Sequence, residues 1–246
     1  MKALYQTIVI SLLFLACEAP KETAQSIVDK SIERHGGDLY ENSIVDFDFR
    51  GRHYTFERDQ GMYTYHRIWS DSAGLYHDIL TNNGFSRTLN DEPVKVSEDW
   101  ARRYSNSINS VAYFSYLPFG LNDPAVRKTL LEPETIGGEP YHRVQVTFIQ
   151  EGGGEDYEDV FVYWIHQKTY EMKYFGYSYI SDGGGIRFRE SINMRSAGGL
   201  TYSDYINYKG PDDCRDVGGL GQLFETGKLD KLSEIKLENL EAKMNK

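Results

Sequence analysis

The amino-acid sequence predicts a mainly β (α+β) domain in which a curved antiparallel sheet wraps around a few helices. Three observations indicate this fold. Tyrosine and phenylalanine are abundant, with 19 and 12 residues, and aromatic side chains favour strands. Glycine is common (23 residues) and proline is sparse (7 residues), which is typical of strands joined by tight turns. Along much of the chain, apolar and polar residues alternate with the period of two of a half-buried strand.

One helix precedes the first group of predicted strands. Thr23 to His35 has apolar residues at helical spacing, Thr23 can cap its start, and Gly36-Gly37 ends it. The strands expected next are 45–50, 54–57, 62–69, 75–80 and 84–89. Because polar residues alternate with apolar ones in the first of these, one face of the sheet is expected to be buried.

The segment at about 98–131 is predicted to be a helical insertion packed on the sheet. Ser97 can cap a helix that begins near Glu98, and Asp123-Pro124 begins a second short helix that ends at Leu130. Between the two helices lies an apolar patch, whose residues are Tyr113, Phe114, Leu117, Pro118 and Phe119. This patch can be a lid over an apolar cavity or an ordinary core contact.

Strands resume after the insertion. The expected strands are 141–148, 160–165, 172–180, 185–195 and 200–208, and 229–240 fits a strand better than a short helix. The chain has no internal repeat and no internal linker, so 23–246 is predicted to be a single domain.

Residues 1–17 resemble a bacterial lipoprotein signal. Lys2 is followed by an apolar run, 8–16, that is too short for a membrane span of about 20 residues. Phe14 to Cys17 resembles the lipobox, in which the cysteine is acylated and becomes the new N-terminus. The predicted boundaries are therefore a signal at 1–16, a tether at 17–22, and lipid attachment at Cys17. An ordinary signal peptide with a chance cysteine is the alternative.

Charge and cysteine content limit the partners. Loss of Lys2 with the signal takes the net charge from −10 to −11, which disfavours nucleic acid and anionic surfaces as electrostatic partners. Acylation of Cys17 leaves Cys214 without a disulfide partner. The expected location is outside the cytoplasm, at the outer membrane, on its periplasmic or its surface face.

Motifs for cofactors and metals are missing from the sequence. Its six histidines have no zinc-binding spacing, and no G-x-S-x-G elbow or phosphate loop occurs. The acidic segment 151–159 lacks the spacing of a calcium loop and is interpreted as a solvated turn. We expect no cofactor and no metal. A pair of catalytic carboxylates stays open because carboxylates are abundant.

The strand 186–195 carries the most distinctive polar pattern. Arg187, Arg189, Ser191, Asn193 and Arg195 fall on one face. Arginine binds phosphate and carboxylate in a forked geometry, so this face can hold an anionic head group. The alternative, which we favour from sequence, is a ladder of internal salt bridges. The acidic residues that could pair with it are Asp46, Asp48 and Asp204.

Two resemblances extend this interpretation. The order of helix, antiparallel meander and helical insertion resembles the half-barrel of the LolA-like outer-membrane lipoprotein carriers, which implies a cavity for acyl chains between sheet and helices. Specific segments resemble a Bacteroidota envelope lipoprotein family of unknown function. These segments are FDFR (47–50), SVAYF (110–114), LPFGLNDPAV (117–126), EGGGEDYED (151–159), YSY (177–179), GGGIRFRE (183–190) and DYINY (204–208).

Three functions follow. The first is a non-enzymatic lipoprotein, anchored to the membrane through Cys17, that binds a lipid or other amphipathic small molecule in a half-barrel cavity. Its candidate ligand-binding residues are Arg187, Arg189, Asn193, Arg195, Tyr113, Phe114 and Leu117. The second is an envelope enzyme acting on a polar or anionic substrate, with an Asp or Glu as general acid or base. The third is an interaction module of an envelope complex, whose protein partner is unknown.

Overall fold

A computed structural model describes residues 21–151, 157–180 and 184–245. The predicted signal 1–16, the lipid-attachment residue Cys17, most of the tether 17–22 and the centre of the acidic turn 151–159 lie outside these residues. Within them the chain is mainly β, as predicted. Its strands form two seven-stranded antiparallel sheets.

The first sheet holds the strands that precede the helical insertion, together with the last strand of the chain. Its strands are β1 (Ser43–Phe49), β2 (Arg52–Asp59), β3 (Met62–Asp71), β4 (Gly74–Thr81), β5 (Gly84–Leu89), β6 (Glu92–Pro93) and β14 (Glu238–Met244). Their order is β14-β1-β2-β3-β4-β5-β6. Strands β1 to β6 are neighbours in chain order, so they form a meander. β14 pairs with the other edge of β1, with Met244 opposite Ser43.

The second sheet holds the strands that follow the insertion. Its strands are β7 (Val126–Ile136), β8 (Glu139–Phe148), β9 (Val160–His166), β10 (Met172–Tyr179), β11 (Gly185–Ala197), β12 (Leu200–Lys209) and β13 (Asp230–Ile235). Their order is β13-β12-β11-β10-β9-β8-β7, again a meander. The sequence anticipated these strands except β7, and it did not divide them between two sheets.

Two consecutive strands connect the sheets. β13 and β14 are edge strands of different sheets, joined through Lys236 and Leu237. The backbone N–H of Leu237 donates to Asp204 Oδ1 (3.0 Å), and its carbonyl accepts from Arg195 (2.6 Å). The segment 229–240, predicted as one strand, therefore forms parts of two strands that belong to opposite sheets.

Three α-helices complete the described part of the chain: α1 (Ala24–His35), α2 (Glu98–Ser115) and α3 (Leu220–Glu225). α1 begins at a capping box between Thr23 and Ser26, at the predicted position. α3 was not predicted. Short 3₁₀ turns occupy Gly37–Asn42 and Phe119–Asn122. In the described residues no helix has both the length and the apolar character needed to cross a bilayer.

The predicted helix at 123–130 is wrong, because this segment enters strand β7. Asp123 is extended (φ −60°, ψ 145°), as the proline at 124 favours for the residue before it. From Val126 onward the chain pairs with β8, starting opposite Phe148. The helical insertion is therefore α2 and one 3₁₀ turn, and its last residues already belong to the sheet.

Each long helix buries one side against a different sheet. Ile27 and Val28 of α1 are fully buried in a cluster with residues of the second sheet, including Val144 and Tyr163. Ile108 of α2 is buried in a cluster with aromatic residues of the first sheet, such as Phe56. α2 thus packs one face on the first sheet, and another of its faces borders the space between the two sheets.

Candidate functional site

A cavity of about 330 Å³ lies between α2 and both sheets. Its volume is at the lower end of the range of about 300–1,000 Å³ for small-molecule sites. The helix contributes residues at the spacing of one helix face, namely Ser107, Ser110, Val111, Phe114 and Ser115. Ser107 and Ser110 are exposed at the rim, whereas Ser115 is buried. The cavity is therefore open at one side of α2.

The two sheets provide the remaining walls. Phe49, Arg50, Arg52 and Tyr54 come from the hairpin between β1 and β2. The second sheet and the connection to β14 contribute Arg189, Ser203, Tyr205, Ile235 and Leu237. The lining combines an apolar and aromatic wall with three arginines, and it contains no carboxylate, histidine or cysteine among the described residues.

Arg189 of β11 is the most unusual of these side chains. It is only 8% exposed, and its guanidinium lies 4.0 Å from the ring centre of Phe114. One Nη donates to the hydroxyl of Tyr177 (3.0 Å), and its buried Nε has no hydrogen-bond partner in the part of the chain that the structure describes. Burial lowers the pKa of the Arg189 guanidinium, against the opposing effects of Tyr177 and Tyr205. Among the described residues it has no carboxylate partner.

Arg50 and Arg52 flank the turn between β1 and β2. Arg50 and Gly51 form a two-residue hairpin turn with positive φ values (50° and 71°), the geometry that suits twisted antiparallel strands. The Arg50 guanidinium lies 5.1 Å from the ring centre of Phe49, and that of Arg52 lies 5.4 Å from Trp69. Both side chains are exposed, and neither has a carboxylate partner within the described ranges.

A buried ion cluster supports the helix side of the cavity. Asp78 is fully buried and accepts hydrogen bonds at 2.6 Å from both Arg67 and Arg87. Arg67 also donates to the hydroxyl oxygen of Ser107 (3.0 Å), which lines the cavity. Because two guanidinium groups share one carboxylate, this cluster adds positive charge behind the cavity wall.

The residues predicted on the arginine face do not share one environment. Arg195 makes an ion pair with Asp204 (3.1 Å), to which Asn193 also donates a hydrogen bond (3.1 Å). These two residues match the salt-bridge alternative. The strand register shifts between Ile192 and Arg195, with Asn193 at φ 49°, so the alternation that placed the residues on one face is interrupted.

Arg187 also lies outside the cavity, although it shares the strand of Arg189. Its guanidinium is 5.1 Å from the ring centre of Tyr179, beside a second concavity that includes Lys209 and Asp212. Lys209 and Asp212 form an ion pair (2.5 Å) at this place.

The apolar patch of the insertion serves both predicted roles, because part of it borders the cavity and part of it is an ordinary core contact. Phe114 faces the cavity, whereas Leu117 is 3% exposed in the core. The Tyr113 hydroxyl lies 2.7 Å from that of Tyr163, and burial raises the pKa of both phenols. Of the residues predicted for ligand binding, the structure therefore brings Arg189 and Phe114 together at one cavity.

Sequence analysis missed the other polar residues of the cavity. Arg50 and Arg52 lie on either side of Gly51 in the run Phe-Arg-Gly-Arg. The glycine between two strands indicates a hairpin turn, and such a turn places both arginines at the same end of the sheet. The serines of α2 carried no comparable signal. No cluster of three or more potential metal ligands occurs in the described residues.

Comparisons with known proteins place the chain in a family. Residues 4–237 match a family of unknown function, DUF6503, so the chain belongs to that family. No curated protein matches the sequence significantly.

Solved structures resemble the fold at low sequence identity. A LolA superfamily protein from Nitrosomonas europaea has a TM-score of 0.47 and 13% identity, with 92% of this chain and 94% of that chain covered. A DUF1329 family protein from Desulfovibrio piger has a TM-score of 0.49 and 11% identity, with 90% and 93% covered. The Mycobacterium tuberculosis lipoprotein LppX has a TM-score of 0.30 and 11% identity, with 78% and 98% covered.

Proposed function

We propose that this member of the DUF6503 family is an extracytoplasmic, lipid-anchored protein that binds an amphipathic ligand with an anionic head group. The ligand occupies the cavity between α2 and the two sheets, and no reaction is catalysed there. The observation that carries this proposal is the position of Arg189, a buried cation with a free Nε beside an apolar wall.

The environment of Arg189 supports an anionic ligand. Taking a guanidinium out of water costs several kcal/mol unless an anion and hydrogen bonds compensate. The ring of Phe114 and the hydroxyl of Tyr177 compensate only in part. An anionic group in the cavity supplies the missing counter-charge and an acceptor for Nε.

The apolar wall supports an alkyl chain on the same ligand. Phe49, Val111, Phe114, Ile235 and Leu237 line the cavity together. Burying one methylene group contributes about 0.8 kcal/mol, so even a short chain adds useful affinity. The volume of about 330 Å³ favours a ligand with one chain over a ligand with several.

The start of the domain is compatible with a short tether. Glu22 is held by Lys30 (2.6 Å) and Tyr170 (2.7 Å), and His142 Nε2 lies 2.9 Å from its carboxylate. The five residue steps from Cys17 to Glu22 span at most about 18 Å. An acyl group on Cys17 would hold the domain close to a membrane.

The enzymatic alternative has less support. A general acid or base is usually a histidine or a carboxylate, and none lines the cavity among the described residues. Burial raises the pKa of Tyr205, so this phenol remains protonated at neutral pH.

Native mass spectrometry of the domain from residue 17, with Cys17→Ser, tests the proposal after export to a bacterial periplasm. We expect a stoichiometric extra mass that extracts into organic solvent. Arg189→Gln should lose it, and the control Arg187→Gln, two residues away on the same strand, should keep it. An apo mass that takes up no added anionic amphiphile would overturn the proposed binding. Incorporation of labelled palmitate into the full chain, absent in Cys17→Ala, tests the anchor separately.

A further inference from the structure

The cavity lining carries more positive charge than a ligand with a single carboxylate group can neutralise. Arg50 and Arg52 stand at its rim, and Arg189 lies inside, each without a carboxylate partner among the described residues. Arg50 is close enough to Arg189 for its charge to lower the pKa of that guanidinium. The whole chain has a net charge of −10, so an excess of cations at one place is not a consequence of its composition.

The rim adds hydroxyl donors to these cations. Ser107 accepts a hydrogen bond from Arg67, which leaves the hydrogen of its own hydroxyl to donate. Ser110 lies three residues later on the same exposed face of α2. The lining thus offers an anion three guanidinium groups and two hydroxyls as donors, with Arg189 inside the cavity and the other four groups at its rim.

We infer that the polar end of the ligand is a phosphate monoester, held among Arg50, Arg52 and Arg189. This inference rests on the proposed function and names its head group. A carboxylate has one charge and two oxygens, and a single guanidinium satisfies it in a bidentate pair. A phosphate monoester has a charge of about −1.5 to −2 at pH 7 and three terminal acceptor oxygens, which suit several guanidinium groups.

The pH dependence of binding separates the two head groups. The second pKa of a phosphate monoester is about 6, whereas a carboxylate is ionised throughout the range from pH 5.5 to 7.5. Among the described residues, the titratable side chains that line the cavity are the three arginines, Tyr54 and Tyr205, and the pKa of Tyr205 is raised. α2 contributes only serine, valine and phenylalanine side chains. Arginine and tyrosine side chains ordinarily titrate near pH 10 or above, so a change in affinity between pH 5.5 and 7.5 reports on the ligand.

Calorimetric titration of the Cys17→Ser domain with decyl phosphate and with decanoic acid, below their micelle concentrations, tests the inference. At pH 7.5 we expect the phosphate ligand to bind at least about tenfold more tightly. This advantage should shrink at pH 5.5, while decanoic acid binds equally at both pH values. Equal affinities at pH 7.5 would overturn the phosphate inference and leave the proposed function standing. Binding of neither ligand would overturn both.

Two variants and one competitor complete the test. Arg50→Gln/Arg52→Gln removes exposed side chains, so the domain should fold, lose the preference for phosphate and still bind decanoic acid. The control Arg102→Gln/Arg103→Gln removes the same charge from exposed positions outside the lining and should keep the preference. Inorganic phosphate should compete only weakly. Binding of inorganic phosphate as tight as that of decyl phosphate would uphold a phosphate site and overturn the amphipathic ligand.

Discussion

Replacement of Arg189 by methionine should stabilise the ligand-free domain or leave its stability unchanged, while it removes ligand binding. Methionine has a similar length, no charge and the flexibility to fill the same space. The expected result is unusual because Arg189 is 8% exposed, and most substitutions of buried residues destabilise proteins.

The magnitude follows from the contacts of the guanidinium. The substitution removes a desolvation cost of several kcal/mol. It also removes the contact with Phe114, worth about 2 kcal/mol for a desolvated cation, and the hydrogen bond to Tyr177, worth about 1.5–3 kcal/mol. These effects nearly cancel, so we expect a change in the free energy of unfolding between about 0 and +2 kcal/mol.

Urea unfolding of the ligand-free protein measures this change. An m value equal to that of the wild type shows that both proteins expose the same surface area on unfolding. Arg195→Met is the matched control on the same strand. Arg195 pairs with Asp204 and with the carbonyl of Leu237, so its loss should destabilise the domain by about 2–3 kcal/mol. A loss of more than about 2 kcal/mol in Arg189→Met would refute the reasoning, because it would make Arg189 a structural residue.

Three further substitutions or conditions test the surrounding structure. Asp78→Asn should lower the free energy of unfolding by about 3–5 kcal/mol in urea titrations, since it leaves two buried arginines without a counter-charge; wild-type stability would contradict the ion cluster. Burial, and then the charge of His77, lowers the pKa of His66 below its unfolded value, so the stability of the domain should fall as pH drops below about 6.5. His66→Gln should weaken this pH dependence of the melting temperature, and an unchanged dependence would contradict the role of His66. A Cβ at Gly198 (φ 57°) would lie 2.6 Å from the Ala242 carbonyl oxygen, so Gly198→Ala should lower the melting temperature by several degrees; an unaltered midpoint would show that the contact relaxes freely.

Local sequence patterns predicted most elements because each depends on a few neighbouring residues. The capping box of α1 and the alternation in β1 are examples, and both elements occur where they were expected. The predicted helix at 123–130 failed because Val126 is held by pairing with Phe148, a partner 22 residues away. Local propensity cannot report such a long-range pair.

The candidate site was predictable only in part for the same reason. Arg189 and Phe114 belong to different elements, and the sequence identified each of them separately as a binding residue. Arg195 fits the same local pattern as Arg189, but the register shift beyond Ile192 directs it to Asp204. A bulge of this kind leaves no clear trace in an alternating sequence, so the pocket and the salt bridge could not be separated before the fold was known.

The contrast between an acidic chain and a cationic cavity limits how a ligand can arrive. A net charge of −10 repels an anionic ligand or membrane surface at long range, but salt screens this repulsion beyond about 8 Å at physiological ionic strength. The field of Arg50, Arg52 and Arg189 acts over a similarly short distance. A ligand is therefore attracted only after it has come near the opening, and proximity rather than long-range steering controls its capture. A short tether ending at Cys17 would provide that proximity, which connects the proposed anchor to the proposed cavity by one physical requirement.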